Sequence, residues 1–176
     1  MTFFQQQNIL EIFQQNPSHY APIAQLVQNL MRGTSTFTEG ERELIAVYVS
    51  ALNSCDYCFN AHQKIAVNLK VDPKLLEAIE KTDTNAVDER FRPILALVKK
   101  LTLTPNQITQ ADVDNVLAAG WNEQAVKDAI AICSLFNFMN RLVDGYGLKQ
   151  PSPEQLTAMA TGINTHGYQA VLESNS

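Results

Sequence analysis

Two thiols and an imidazole sit close together in the stretch Ser54-Cys55-Asp56-Tyr57-Cys58-Phe59-Asn60-Ala61-His62, a C-x-x-C-x-x-x-H pattern. On a helix, offsets of three and then four residues put Cys55, Cys58 and His62 on one stripe. Cysteines three apart can close a short disulfide and reopen it, which suits thiol–disulfide exchange. An imidazole one turn beyond Cys58 can accept its proton. The first turn of a helix has unpaired N–H groups and the positive end of the dipole, and both lower a thiol pKa. Helix electrostatics alone therefore favours Cys55 as the more activated thiol, while the His62 spacing favours Cys58. A carboxylate, Glu43, lies twelve residues before Cys55. A tight turn between antiparallel helices would bring it to the thiols, where partial burial beside Ala46 and Val47 would raise its pKa. It could then hold His62 in one tautomer or take its proton. Ser50 adds a small polar group on the same face.

Half of a zinc site has the same C-x-x-C beginning, but zinc wants four ligands, commonly from two such pairs. Cys133 lies in an apolar run and reads as a core residue, and His19 and His166 have no partner in the sequence. A purely structural Cys55–Cys58 disulfide does not suit a cytoplasmic protein. Tyr57 and Phe59 read as pocket wall, and Trp121 as a packing residue.

The elements that must position these groups are helical, with no strand-like alternation. Amphipathic segments run over Phe3–Gln15 and Ala21–Met31. Thr38 and Glu41 form a capping box that opens a helix reaching about Asn53. Ser54 is the expected N-cap of the next helix, Cys55–Leu69. A short helix follows at Pro73–Glu80, then a loop at Thr82–Ala86 and a helical run over Asp88–Leu103. Thr109 caps a helix ending at Gly120. Asn122 caps the longest helix, apolar on most faces and so expected at the centre, which ends near Asp144 before Gly145 and Gly147. Asn137, Asn140 and Arg141 at its end suggest capping and interhelical hydrogen bonds, including Arg141 with Asp144. Residues 149–176 read as a tail with a short helix at Pro153–Ala160. We expect an all-α fold of about eight helices in a single domain over residues 1–176.

The pattern Glu43-x11-Cys55-x-x-Cys58-x-x-x-His62 resembles the active-site signature of AhpD-like alkylhydroperoxidases in the carboxymuconolactone decarboxylase superfamily. The block from Asp88 to Thr102, the run from Thr109 to Trp121, and the segment Leu135-Phe136-Asn137-Phe138-Met139-Asn140-Arg141 are similar to helices of its peroxidase-related branch. Together they cover about residues 21–148. The resemblance implies an AhpD-like helical fold in which Cys58 attacks a hydroperoxide and Cys55 resolves the sulfenic acid to a disulfide. His62 and Glu43 would form the proton relay. It also implies an external dithiol or thiol-protein reductant, no bound cofactor or metal, and a homo-oligomer (dimer, trimer or hexamer). Tyr57 stands where the best-known member has a further relay histidine. A phenol, with pKa near ~10, is a poorer shuttle at neutral pH. Two other readings remain at this level. The superfamily's namesake lyase chemistry does not use a C-x-x-C pair, and a thiol redox sensor would oxidise without turnover.

Composition narrows the classes further. Of 176 residues, 45% are hydrophobic and 18% charged, a globular composition. The net charge of −5, with 13 Lys+Arg and no basic block, argues against nucleic acid and anionic membranes as partners. Asn and Gln outnumber Asp and Glu, so the surface is amide-rich. Three cysteines do not make a secreted disulfide framework. Residues 1–7 lack the basic and apolar regions of a signal peptide, and no apolar stretch approaches the ~20 residues needed to span a bilayer. The expected compartment is the cytoplasm.

Overall fold

The computed structural model of the chain describes residues 3–5 and 8–168. Among these, nine α-helices and one 3-10 turn are present and no strand, so the all-α expectation holds. The helices are α1 (Ile9–Gln15), α2 (Pro17–Arg32), α3 (Glu39–Leu52), α4 (Asp56–Asn68) and α5 (Pro73–Glu80), then α6 (Arg92–Leu103), α7 (Gln110–Ala118), α8 (Glu123–Tyr146) and α9 (Pro153–His166).

Local chemistry explains most of the boundaries. Thr38 and Glu41 form the expected reciprocal capping box at the start of α3. Asp72 and Asn122 accept from backbone N–H groups at the starts of α5 and α8. Pro73 and Pro93 occupy first-turn positions, where a missing N–H costs little. Gly147, in a left-handed conformation, closes α8, whereas Gly145 remains inside the helix.

Three local expectations are corrected. Helix α1 begins at Ile9, not Phe3; Phe3–Gln5 form a bend, and Gln6 and Gln7 lie outside the described residues. The N-cap of α4 is Cys55, not Ser54, because Ser54 takes up the reversal between α3 and α4 with φ of +55°. The Asp88–Leu103 run is helical only from Arg92. Asp88 caps a separate turn that precedes the helix, accepting from the Arg90 N–H.

The centre of the molecule is α3 rather than α8 alone. Nine consecutive residues of α3, Arg42–Ser50, are buried, because α2, α4, α5, α6 and α8 all pack around it. Helix α8 covers one side and leaves Ile130 and Phe138 partly open to solvent. Phe37, Phe91 and Trp121 form a ring cluster at one end, and the Trp121 Nε1–H donates to the Arg90 carbonyl at 2.8 Å. This is the packing role expected of Trp121.

Buried polar groups tie α3 to α8. Asn140 has no exposed surface; its amide donates to Ser50 Oγ (3.1 Å) and accepts from Asn53 (2.9 Å). Ser50 also donates to the Ala46 carbonyl, so it belongs to this lattice and not to the thiol site. Arg141 donates to the Asn137 backbone and side-chain oxygens in place of the expected Asp144 contact. Cys133 is fully buried against Thr102 and the Val98 carbonyl, as a core residue.

The end of α2 is held with unusual closeness. The Arg42 guanidinium donates to the carbonyls of Leu30 and Gly33. A Cβ at Gly33 would lie 2.3 Å from the Asn29 carbonyl oxygen, a backbone atom that cannot step aside. Gly33→Ala should therefore unseat the last turn of α2, with a loss of about 1–3 kcal/mol. A lowered urea midpoint at unchanged m-value would show it.

Candidate functional site

The α3–α4 hairpin brings the sequence-predicted residues together. Glu43, in the second turn of α3, has no exposed surface. Its Oε2 lies 2.7 Å from His62 Nδ1 on α4. One turn before His62 on α4, Cys58 shares with it the wall of an apolar cavity of about 110 Å3. Phe13, Ala61, Ile65, Phe136, Met139 and Met159 complete much of that wall. Phe136 meets the His62 ring edge-on at 4.6 Å between centroids and fixes its plane. A wider groove of about 650 Å3 shares the side chains of Ile9, Leu10, Tyr57, Met159 and Ile163 with the cavity and reaches the surface.

Cys55 and Cys58 are both free thiols and both buried. Cys55 does not line the cavity; it packs with Tyr57 and Val143, its N–H donating to the Ser50 carbonyl. Its hydrogen bond with Cys58 raises the Cys55 pKa first, and burial and the Cys58 charge add to that. The Asp144 carboxylate nearby works in the same direction. Helix electrostatics had favoured Cys55 as the activated thiol. In the fold Cys55 is instead the capping residue packed against the other sulfur, with a raised pKa, and Cys58 faces the cavity beside His62.

Glu43 also departs from expectation. Burial alone would raise its pKa, but the His62 hydrogen bond and charge, then the Arg32 charge and the Tyr168 hydrogen bond, outweigh it and leave the pKa lowered. Arg32 at the end of α2 donates to Glu43 Oε1 at 2.8 Å. Tyr168, just beyond α9, donates its hydroxyl to the same oxygen at 2.7 Å. Burial, then the Glu43 charge, keeps the Tyr168 pKa well above its usual value, so it remains a phenol. Arg32 in turn stacks over the Tyr168 ring at 4.9 Å.

Neither Arg32 nor Tyr168 was identified from the sequence. Tyr168 stands 125 residues from Glu43 and beyond the stretch read as family-like. What the sequence did carry was the helix that delivers it. Ser152 and Gln155 make a capping box, Pro153 follows the cap, and Leu156, Met159, Ala160 and Ile163 have helical spacing. The expected short helix Pro153–Ala160 thus runs on to His166 and packs along α4, while residues 169–176 lie outside the described part.

Tyr57 is buried at the cavity wall, as expected; its oxygen accepts from the Ile9 N–H at 3.4 Å, and burial pushes its pKa up to about 12. It remains protonated at neutral pH. Phe59, in contrast, turns away into the main core and does not shape the cavity. His19 and His166 are exposed.

The Arg32–Glu43 pair makes a stability test. Removing one partner of a buried pair strands the other charge, at a cost of about 3–5 kcal/mol. Arg32→Met should destabilise by that order, and the double variant Arg32→Met/Glu43→Gln should recover most of it. The folded pKa of Glu43 is lowered, so its contribution is fully present above the unfolded value near 4.5 and lost as pH falls below it. Urea midpoints measured from pH 7 to pH 3 should fall less steeply for Glu43→Gln than for the wild type.

Comparison with known proteins agrees with the sequence resemblance. The profile of the carboxymuconolactone decarboxylase family matches residues 17–92. No curated protein matches the chain by sequence. Among solved structures, an uncharacterized peroxidase-related protein from Silicibacter sp. TM1040 is 30% identical, with a TM-score of 0.78 over 84% of this chain and 77% of its own. The alkylhydroperoxidase AhpD core of an uncharacterized peroxidase-related protein from Ralstonia eutropha JMP134 is 25% identical, with a TM-score of 0.77 over 85% and 78%. The debrominase Bmp8, in complex with 2,3,4-tribromopyrrole, shares the fold at 17% identity and a TM-score of 0.72 over 86% and 81%. The signature residues, the helical fold and these similarities agree, and the chain belongs to the AhpD-like branch of the carboxymuconolactone decarboxylase superfamily.

Proposed function

We propose that this protein is a thiol peroxidase that reduces organic hydroperoxides through Cys58 and Cys55. The observation that carries the reading is His62. Its Nδ1 is bound to a buried, ionised Glu43, while its ring lies with Cys58 at the wall of an apolar cavity. Nδ1 therefore donates to Glu43, and Nε2 is the nitrogen free to take a proton. His62 takes the proton of Cys58, and the thiolate attacks the outer oxygen of the hydroperoxide. The O–O bond breaks, Cys58 becomes a sulfenic acid, and the leaving alkoxide takes the proton from His62 as an alcohol. The Cys55 thiol condenses with the sulfenic acid, releasing water and forming the disulfide. An external dithiol supplies the two electrons that reopen it through Cys55.

The raised pKa of Cys55, from its hydrogen bond with Cys58 and from burial, fits a resolving role in which this thiol keeps its proton until the sulfenic acid has formed. Apolar walls favour an alkyl or aryl hydroperoxide over hydrogen peroxide, because burying the organic group contributes about 25 cal/mol per Å2. No helix among the described residues is long and apolar enough to cross a membrane. Assembly into a homo-oligomer is what the family resemblance implies, and analytical ultracentrifugation would measure it.

Steady-state peroxide consumption with a dithiol donor tests the activity. Cys58→Ser should abolish turnover. Cys55→Ser should give a single burst of about one equivalent and then stop, and His62→Ala should slow the reaction about 100-fold or more. Cumene hydroperoxide should be preferred over hydrogen peroxide in kcat/KM. Wild-type turnover by both cysteine variants would refute the peroxidase, and one slow oxidation without turnover would identify a redox sensor instead.

A further inference from the structure

We propose that Tyr168 is a positioning residue of the relay, delivered by the end of the C-terminal helix, and that with Arg32 it makes Glu43 a fixed hydrogen-bond acceptor and not a proton acceptor. This rests on the thiol reading of the site but reaches residues outside the C-x-x-C-x-x-x-H signature.

The argument is a count of donors and acceptors. Glu43 Oε1 receives Arg32 at 2.8 Å and the Tyr168 hydroxyl at 2.7 Å, and Oε2 receives His62 Nδ1 at 2.7 Å. A buried carboxylate with three such donors has no reason to take a proton. Tyr168 has a single hydroxyl hydrogen, and it is committed to Oε1. Its oxygen also lies 3.2 Å from His62 Nδ1. Facing Glu43 Oε2 and the Tyr168 oxygen, Nδ1 has two acceptors and no donor, so it must carry the hydrogen. Whenever the imidazole is neutral it is thereby held with Nε2 unprotonated, the form needed to accept the Cys58 proton. The Tyr168 ring lies nearly parallel to His62, with an interplanar angle of 21°.

The chain delivers Tyr168 by a specific turn. Gly167 closes α9 with φ of +76°, in the left-handed region that favours glycine. A Cβ there would lie 2.5 Å from Gln28 Oε1, the atom that accepts the Tyr168 backbone N–H at 2.6 Å. Gly167 is thus required for the phenol to reach Glu43, although it touches no atom of the relay.

The groups facing Glu43 are Arg32 from α2, His62 from α4 and Tyr168 after α9, with Glu39 of its own helix on the far side of Arg32 at 3.5 Å. Removing the Tyr168 hydroxyl takes one donor from the carboxylate, so Glu43 becomes easier to protonate. The protonated form holds Nδ1–H more weakly, because the charge that assists the hydrogen bond is gone.

The test is the rate of Cys58 alkylation by iodoacetamide as a function of pH, with the labelled peptide identified by mass spectrometry, beside cumene hydroperoxide turnover. Tyr168→Phe keeps the ring and loses only the hydroxyl. It should slow alkylation at pH 7 about tenfold, as expected for a hydrogen bond to a charged group, and move the acid limb to higher pH, with the hydroperoxide KM within twofold of wild type. Gly167→Ala should reproduce both changes. Wild-type behaviour of either variant overturns the assignment, and so does a slower rate with an unmoved acid limb, which is what general loosening would give. If the wild type turns over no hydroperoxide while its alkylation still depends on Tyr168, the peroxidase reading fails and the positioning role stands.

Discussion

A carboxylate with no exposed surface must be compensated by its neighbours, and in this protein that need organises the site. Transfer of an unpaired charge into the interior costs far more than one hydrogen bond returns. Glu43 is compensated from three directions, by the last residue of α2, the middle of α4 and the residue pair that closes α9. Each donor arrives on a different element, so the bundle around α3 is closed by the same contacts that hold the imidazole. Stability and chemistry are therefore coupled at one residue, and Glu43 stays ionised because the fold surrounds it with donors.

The two ends of the imidazole face unlike surroundings. Nδ1 looks into the polar cluster of Glu43, Arg32 and Tyr168, while the ring as a whole borders an apolar cavity with Cys58. Such a division suits a base that must be oriented by one nitrogen and react through the other. The second polar lattice, around Asn140, Asn53 and Ser50, lies on the α8 side of α3 and holds the hairpin turn from which Cys55 emerges. The two lattices are separate, one fixing the His62 imidazole and the other the turn.

Much of the local architecture was legible in the sequence because its causes are local. The Thr38–Glu41 box, the Asp72 and Asn122 caps and the first-turn prolines act within four residues of themselves. The juxtaposition of Glu43 with His62 was legible for a related reason, since two helices joined by a tight turn leave few registers. What misled was the electrostatics. The first-turn position expected for Cys55 suggested activation, and the apolar neighbours of Glu43 suggested a raised pKa. Both inferences used only the charges visible along one helix, while the deciding partners, the Cys58 sulfur for Cys55 and His62, then Arg32 and Tyr168, for Glu43, depend on side-chain orientation and on other segments.

The sequence by itself determined most of the helices, several of their caps, the one-turn spacing of Cys58 and His62, and the family resemblance, because each depends on spacings of a few residues. Only the tertiary structure decided which thiol faces the cavity, that Glu43 is ionised, and that the C-terminal helix belongs to the site. A pKa is set by everything within a few ångströms, and Tyr168 comes within 2.7 Å of Glu43 across 125 residues of chain. No local pattern encodes that approach; it follows from α9 packing along α4 and from the turn at Gly167.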